Sequence, residues 1–202
     1  MLLGFLAVVQ QAVWAAKIDT VDTYSASMKK TIKAVVMTPD SYANDNELPV
    51  LYVLHGYSGN YGDWVKKAPN IHKLADLYQM IIVCPDGNFG SWYWDSPVDP
   101  SFKYETYVAD ELVTWIDSHY KTVKNRSGRA ITGLSMGGHG ALFLAFRHQT
   151  VFGAAGSMSG GVDIRPFPNN WDMAKRLGTY AQCPERWEQN TVINLLHLLI
   201  PG

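Results

Sequence analysis

The sequence predicts an α/β chain built on a mostly parallel sheet with helices on both faces. Three observations carry this. Two uninterrupted apolar runs, VLYVL at 50–54 and MIIVC at 80–84, read as strands buried on both faces. Segments with helical spacing alternate with these runs, which requires right-handed crossover connections. Small and turn-forming residues close each strand, at His55-Gly56-Tyr57, Pro85-Asp86-Gly87, Gly133-Leu134-Ser135 and Ser159-Gly160-Gly161. Ligands of such sheets sit at the carboxyl ends of the strands, where these residues cluster.

Taken in order, 1–16 (MLLGFLAVVQQAVWAA) carries no charge and ends in small residues. It reads as a secretory signal peptide, so the chain is expected to be secreted or periplasmic, with 17–202 as its domain. Alternation at 17–28 and 31–38 predicts a hairpin turning at Lys29-Lys30. Residues 71–78 read as a helix. Tyr104, Tyr107, Val108, Leu112, Trp115, Ile116 and Tyr120 recur at helical spacing and predict an amphipathic helix. A short strand is expected at 130–132, a buried helix at 138–148, a strand at 152–158 that pairs on both sides, and helices at 171–177 and 185–199.

With 202 residues and 47% hydrophobic content, the chain has enough apolar side chain for one core. Seventeen Lys+Arg against eighteen Asp+Glu give a formal charge of −1, which leaves no basic surplus for nucleic acid or an anionic membrane surface. Cys84 and Cys183 make neither a disulfide framework nor a four-ligand zinc site. No metal or organic cofactor is expected.

The chemistry is carried by Gly133-Leu134-Ser135-Met136-Gly137, a G-x-S-x-G between an expected strand and an expected helix. That turn is tight enough to need small residues two before and two after the serine. It lifts the Ser135 hydroxyl above the sheet at the positive end of the helix. A phosphate loop is excluded, because His139-Gly140 stands where Lys-Ser/Thr is needed. An acyl-transfer serine needs donors for the developing oxyanion. The Met136 N–H is one candidate. The other is the Tyr57 N–H, on the loop after the VLYVL strand.

The ten residues from Gly133 to Leu142 (GLSMGGHGAL) closely resemble the elbow of the esterase D group of α/β-hydrolases. That group includes S-formylglutathione hydrolases, feruloyl and acetylxylan esterases of carbohydrate esterase family one, and mycolyltransferases. The His55-Gly56 loop, Pro85-Asp86-Gly87 and YETYVADEL at 104–112 resemble it in the same order. The resemblance implies an α/β-hydrolase-fold serine esterase with Ser135 as nucleophile and the Tyr57 and Met136 N–H groups as oxyanion hole. A secreted member with an aromatic-rich loop looks most like the plant-polysaccharide esterases. The expected substrate is thus an acetyl or feruloyl ester of a xylan-type polysaccharide or a small ester. Trp92, Tyr93 and Trp94, next to Asp95, are candidate stacking residues for a sugar or a phenolic acyl group.

A serine hydrolase also needs an imidazole base and an orienting acid. In the family these follow later strands, whereas this chain reaches Pro201-Gly202, a turn signal, where the next strand is expected. Both partners and the last two strands are therefore expected beyond residue 202, and the sheet edge left open is expected to self-associate. Within the chain, His139 and His197 read as packing residues and His55 as an orienting one. His72, His119 and His148 read as surface or helix-end residues. Asp163 stands where some α/β-hydrolases place their acid, and Asn125-Arg126-Ser127 fits a glycosylation sequon. Two rival functions stay open: an acyltransferase of the same fold, and a carbohydrate-binding protein with an incomplete triad.

Overall fold

The computed structural model describes residues 16–43 and 46–199. Apart from Ala16, the expected signal peptide lies outside the described residues.

Strands β1 (Lys17–Ser25) and β2 (Lys30–Thr38) form the expected hairpin. Lys29, at φ 52°, supplies the left-handed residue of its turn. Then follow β3 (Val50–Leu54), α1 (Asp63–Lys67), α2 (Ile71–Tyr78) and β4 (Ile81–Pro85). A continuous helix over 104–119 comprises α3 (Tyr104–Thr106), a π stretch (Tyr107–Leu112) and α4 (Val113–His119). Next come β5 (Arg129–Gly133), α5 (Met136–Arg147), β6 (Ala154–Ala155), α6 (Met173–Leu177), α7 (Pro184–Gln189) and a 3₁₀ segment (Val192–Leu198). The strands form one sheet in the order β1-β2-β4-β3-β5-β6. From β4 to β6 the neighbours are parallel; β2 joins β4 antiparallel and β1 joins β2 antiparallel.

Alternate strand residues divide between two cores. Ala34, Val36, Tyr52, Leu54, Val83 and Ile131 point to the face covered by the 104–119 helix and α5. Val35, Met37, Val53, Ile82 and Cys84 point to the face where Ile71 and Ala75 of α2 pack. The uninterrupted apolar runs therefore mark strands covered on both sides.

Four local expectations change. The 104–119 helix contains a π stretch, from which side chains reach the hairpin: Tyr107 Oη hydrogen-bonds Thr23 Oγ1 at 2.7 Å, and Glu111 accepts from Ser25 Oγ and from Ser27 N. The helix expected at 185–199 divides at Asn190 and Thr191. There Asn190 Nδ2 donates to Arg186 O and Thr191 Oγ1 to Trp187 O, side-chain bonds that compete with helix continuation. The helix expected at 171–177 begins only at Met173, since Trp171 and Asp172 take φ 49° and 59°. The strand expected at 152–158 shrinks to Ala154–Ala155 plus a bridge from Met158 to Leu134. Gly153 and Gly156 flank that pair and weaken extension.

The two sheet edges differ. On β1, exposed Lys17 and Asp22 and half-buried Asp19 put charge on the edge, a common protection against strand addition. On β6, Ala154 and Ala155 are exposed and uncharged, and the strand pairs with β5 alone among the described residues. We expect the purified chain to self-associate through β6, and Ala155→Lys to shift it toward monomer. Light scattering that shows a stable monomer of the unsubstituted chain at tens of micromolar would count against this.

Candidate active site

Register brings the site together. β3 and β5 are parallel neighbours with Leu54 opposite Gly133, so the loops that leave their carboxyl ends emerge side by side. One loop carries Gly56 and Tyr57; the other carries Leu134, Ser135 and Met136. The Leu134 N–H donates to Leu54 O at 3.2 Å, and the Ser135 N–H to Met158 O at 2.8 Å. Ser135 is exposed and sits at φ 55°, ψ −115°, a region that costs a non-glycine residue about 1–3 kcal/mol. Gly137 makes this turn possible, because a Cβ there would run into the carbonyl oxygens of Leu54 and His55. The strained serine of the sequence motif is thus held by backbone on both sides.

Neither the Tyr57 N–H nor the Met136 N–H has a protein acceptor among the described residues. The Met136 group opens α5, where the first-turn N–H groups are free by construction. Both residues flank Ser135 across the Leu54–Gly133 junction. The Tyr57 hydroxyl donates to Asp172 Oδ2 at 3.2 Å, which ties the loop to the 171–173 turn.

Two buried imidazoles brace this frame. His55 Nε2 accepts from the Gly87 N–H at 2.7 Å, so Nδ1 carries the proton and donates to Gly56 O at 2.8 Å. Burial lowers its pKa. His139 Nε2 accepts from Trp94 Nε1 at 3.0 Å, and its Nδ1 donates to Gly161 O at 2.7 Å. Burial takes its pKa down to about 4. Both rings are neutral with both nitrogens engaged, so neither has a lone pair for the Ser135 proton. His119 stacks on Trp115, His148 pairs with Glu105, and His197 is exposed and bonds Asn194 O. His197 is therefore a surface residue and not the packing residue expected among its leucines. Among the described residues, no imidazole is hydrogen-bonded to Ser135. Asp163 faces an arginine instead of a histidine: both its oxygens accept from the Arg165 guanidinium at 2.8 Å, which holds the carboxyl below its usual range.

A neutral buried His139 makes stability pH-dependent in a defined sense. Its pKa falls from 6.5 to about 4 on folding. Between those values the unfolded chain takes up a proton that the native chain refuses, so stability falls as pH drops through the window and levels off below it. The loss is about 3 kcal/mol. Urea unfolding of the chain and of His139→Gln at pH 7 and pH 4 should show the steeper acid loss in the unsubstituted chain. Equal losses would refute the assignment.

The aromatic loop needs correction. Tyr93 and Trp94 are 0% exposed and offer no ring face to a ligand. Tyr93 donates to His55 O at 3.0 Å, while Trp94 stacks on Trp92 and holds His139. Asp95 accepts from the N–H and hydroxyl of Thr106 at the start of the 104–119 helix. Tyr93 and Trp94 support the floor of the site. Trp92 is also mostly buried but edges a cavity beside Ser135. Sequence reasoning missed Trp171, 36 positions later, which lines the cavities beside Ser135, and no local signal marks it.

Comparison with known proteins follows the same lines. The family model Esterase matches residues 25–199. An esterase of Mycobacterium tuberculosis is 36% identical over 135 residues, 64% of this chain and 29% of that protein. An acetyl esterase of Caldicellulosiruptor saccharolyticus is 33% identical over 140 residues, 65% of this chain and 52% of that protein. The solved structure of a ferulic acid esterase matches with a TM-score of 0.74 at 27% identity, covering 90% of this chain and 71% of that one. The chain thus spans under a third of the first relative and about half of the second.

Proposed function

Because this chain belongs to the Esterase family and has the α/β-hydrolase fold, we propose that it is a serine carboxylic-ester hydrolase acting through an acyl-enzyme on Ser135. One observation carries the reading: an exposed serine in a strained strand-to-helix turn, beside two backbone N–H groups without acceptors. In the first step the Ser135 hydroxyl gives its proton to a base, and Oγ bonds to the ester carbonyl carbon. The Tyr57 and Met136 N–H groups donate to the oxyanion. The bond to the alcohol oxygen then breaks, and the alcohol leaves with the proton. Water repeats the sequence on the acyl-enzyme, releases the acid and restores the serine. Neither His55 nor His139, the buried imidazoles beside the elbow, supplies that base, because both nitrogens of each ring are engaged.

The substrate we propose is an acetyl or feruloyl ester of a plant polysaccharide of the xylan type, with a secreted site of action. The similarity to an acetyl esterase and to a ferulic acid esterase supports this class. The test is fluorophosphonate labelling of the complete enzyme and mapping of the adduct by mass spectrometry. An adduct on Ser135 supports the reading; an adduct elsewhere or none overturns it.

A further inference from the structure

The half-buried Tyr57 side chain is held along its ring and at its tip. The ring meets Phe89 edge to face, with centroids 4.9 Å apart, and a Cβ at Gly90 would stand 3.0 Å from it. The hydroxyl donates to Asp172 Oδ2 at 3.2 Å. The backbone is fixed on both sides of the same residue. After it, the Ser58 N–H donates to Phe89 O at 2.7 Å. Before it, Gly56 lies against the elbow, where a Cβ would be 3.6 Å from Ser135 Cβ.

Asp172 reaches the tyrosine from a strained turn. Trp171 and Asp172 are consecutive residues at φ 49° and 59°, a conformation that non-glycine residues keep only where surrounding contacts impose it. Here Trp92 Nε1 donates to Trp171 O at 3.0 Å, and the Lys175 ammonium stands 2.9 Å from Asp172 Oδ1. The two carboxylate oxygens are thus divided, one for Lys175 and one for Tyr57. Lys175 and the Tyr57 hydroxyl hold the Asp172 carboxyl below its usual range. The acceptor is therefore ionised at neutral pH, and a charge-assisted hydrogen bond is stronger than a neutral one.

Tyr57 lines both cavities beside Ser135, and Asp172 lines neither. We propose that Asp172 is a positioning residue for ester hydrolysis: by accepting the Tyr57 hydroxyl it fixes where the Tyr57 N–H meets the oxyanion. A donor of this kind works because it is already in place when the charge develops, and a small displacement of a positioned group costs rate. Its contribution is made in the transition state, so loosening it lowers kcat and leaves KM nearly unchanged. This inference rests on the serine-esterase reading of the same site.

The test uses the complete enzyme, with hydrolysis of p-nitrophenyl acetate as one readout and fluorophosphonate labelling of Ser135, followed by mass, as the other. Tyr57→Phe keeps the ring and the N–H and removes only the hydroxyl. It is expected to lower kcat about tenfold with KM within about twofold, a smaller loss than outright removal of an oxyanion donor. Asp172→Ala should show the same split, and the double variant should be no slower than either alone, because all three break one tie. Asp172→Asn keeps an oxygen acceptor and tolerates left-handed backbone, so its kcat should return to within about threefold of the original. Lys175→Ala removes the ion pair but leaves the acceptor, and should stay within about twofold. Circular dichroism checks folding, and Tyr57→Phe decides if Asp172→Ala does not fold. Unchanged kcat in Tyr57→Phe, a loss confined to KM, additive losses in the double variant, no recovery in Asp172→Asn, or an equal loss in Lys175→Ala would each overturn the proposal. Absence of Ser135 labelling in the unsubstituted enzyme would instead overturn the serine-esterase reading and, with it, this inference.

Discussion

Ser135→Ala is expected to abolish fluorophosphonate labelling and to remove about 10⁶ of the kcat of the active esterase, the scale seen when a serine hydrolase loses its nucleophile. The hydroxyl has no protein hydrogen-bond partner among the described residues, so its removal leaves no buried group unsatisfied. Folding should therefore be nearly unaffected, and the chemical loss stands apart from any structural one. Ser135→Gly sharpens the test. At φ 55° a side chain is a burden, and glycine relieves it. That variant should be equally dead yet more stable by about 1 kcal/mol in urea unfolding. An alanine variant that still labels at the elbow, or a glycine variant that is less stable than the original, would be inconsistent with the strained-nucleophile assignment.

Tyr93→Ala is expected to be the most damaging change near the site, costing about 3–5 kcal/mol of folding stability. The ring is wholly buried and wedged so closely against Gly87 and Gly140 that a Cβ on either would enter it. Its hydroxyl donates to the carbonyl of His55, next to the Gly56-Tyr57 loop. Removing the ring leaves a cavity beneath the loop and frees a buried acceptor. Tyr93→Phe keeps the wedge and loses only the hydrogen bond, a cost of about 1–2 kcal/mol. Urea unfolding of the two variants separates packing from hydrogen bonding. A Tyr93→Ala variant within 1 kcal/mol of the original would show that the ring is dispensable.

The parts legible in the sequence are those encoded by neighbours in the chain. VLYVL and MIIVC become central strands because every residue in each is apolar. The elbow is legible because glycines at 133 and 137 relieve a local crowding that any reader of the turn can foresee. What was not legible depends on distant partners. Trp92-Tyr93-Trp94 looks the same whether it faces solvent or packs beneath a loop. The decision comes from His139, 45 residues away from Trp94, and from the carbonyl of His55. The break at Asn190 and Thr191 follows from side chains that compete for helix carbonyls, which hydrophobic spacing does not record. Trp171 escaped notice for a related reason, since it lines the cavities beside Ser135 from a turn in which it and Asp172, neither a glycine, both take left-handed φ.

The pairing of Leu54 with Gly133 has a consequence for how such a molecule can change over evolutionary time. The approach of the Ser135 turn to the Gly56-Tyr57 loop is set by the ladder of two adjacent strands, whose spacing is a property of peptide geometry and not of any side chain. A slip of one residue would move one partner by about 3.3 Å and dissolve the arrangement. The surrounding walls at 159–173 come from later, irregular backbone and are under no such discipline. Substitutions there can redraw the walls beside Ser135 without moving the serine, so the elbow is fixed as geometry while its surroundings are not.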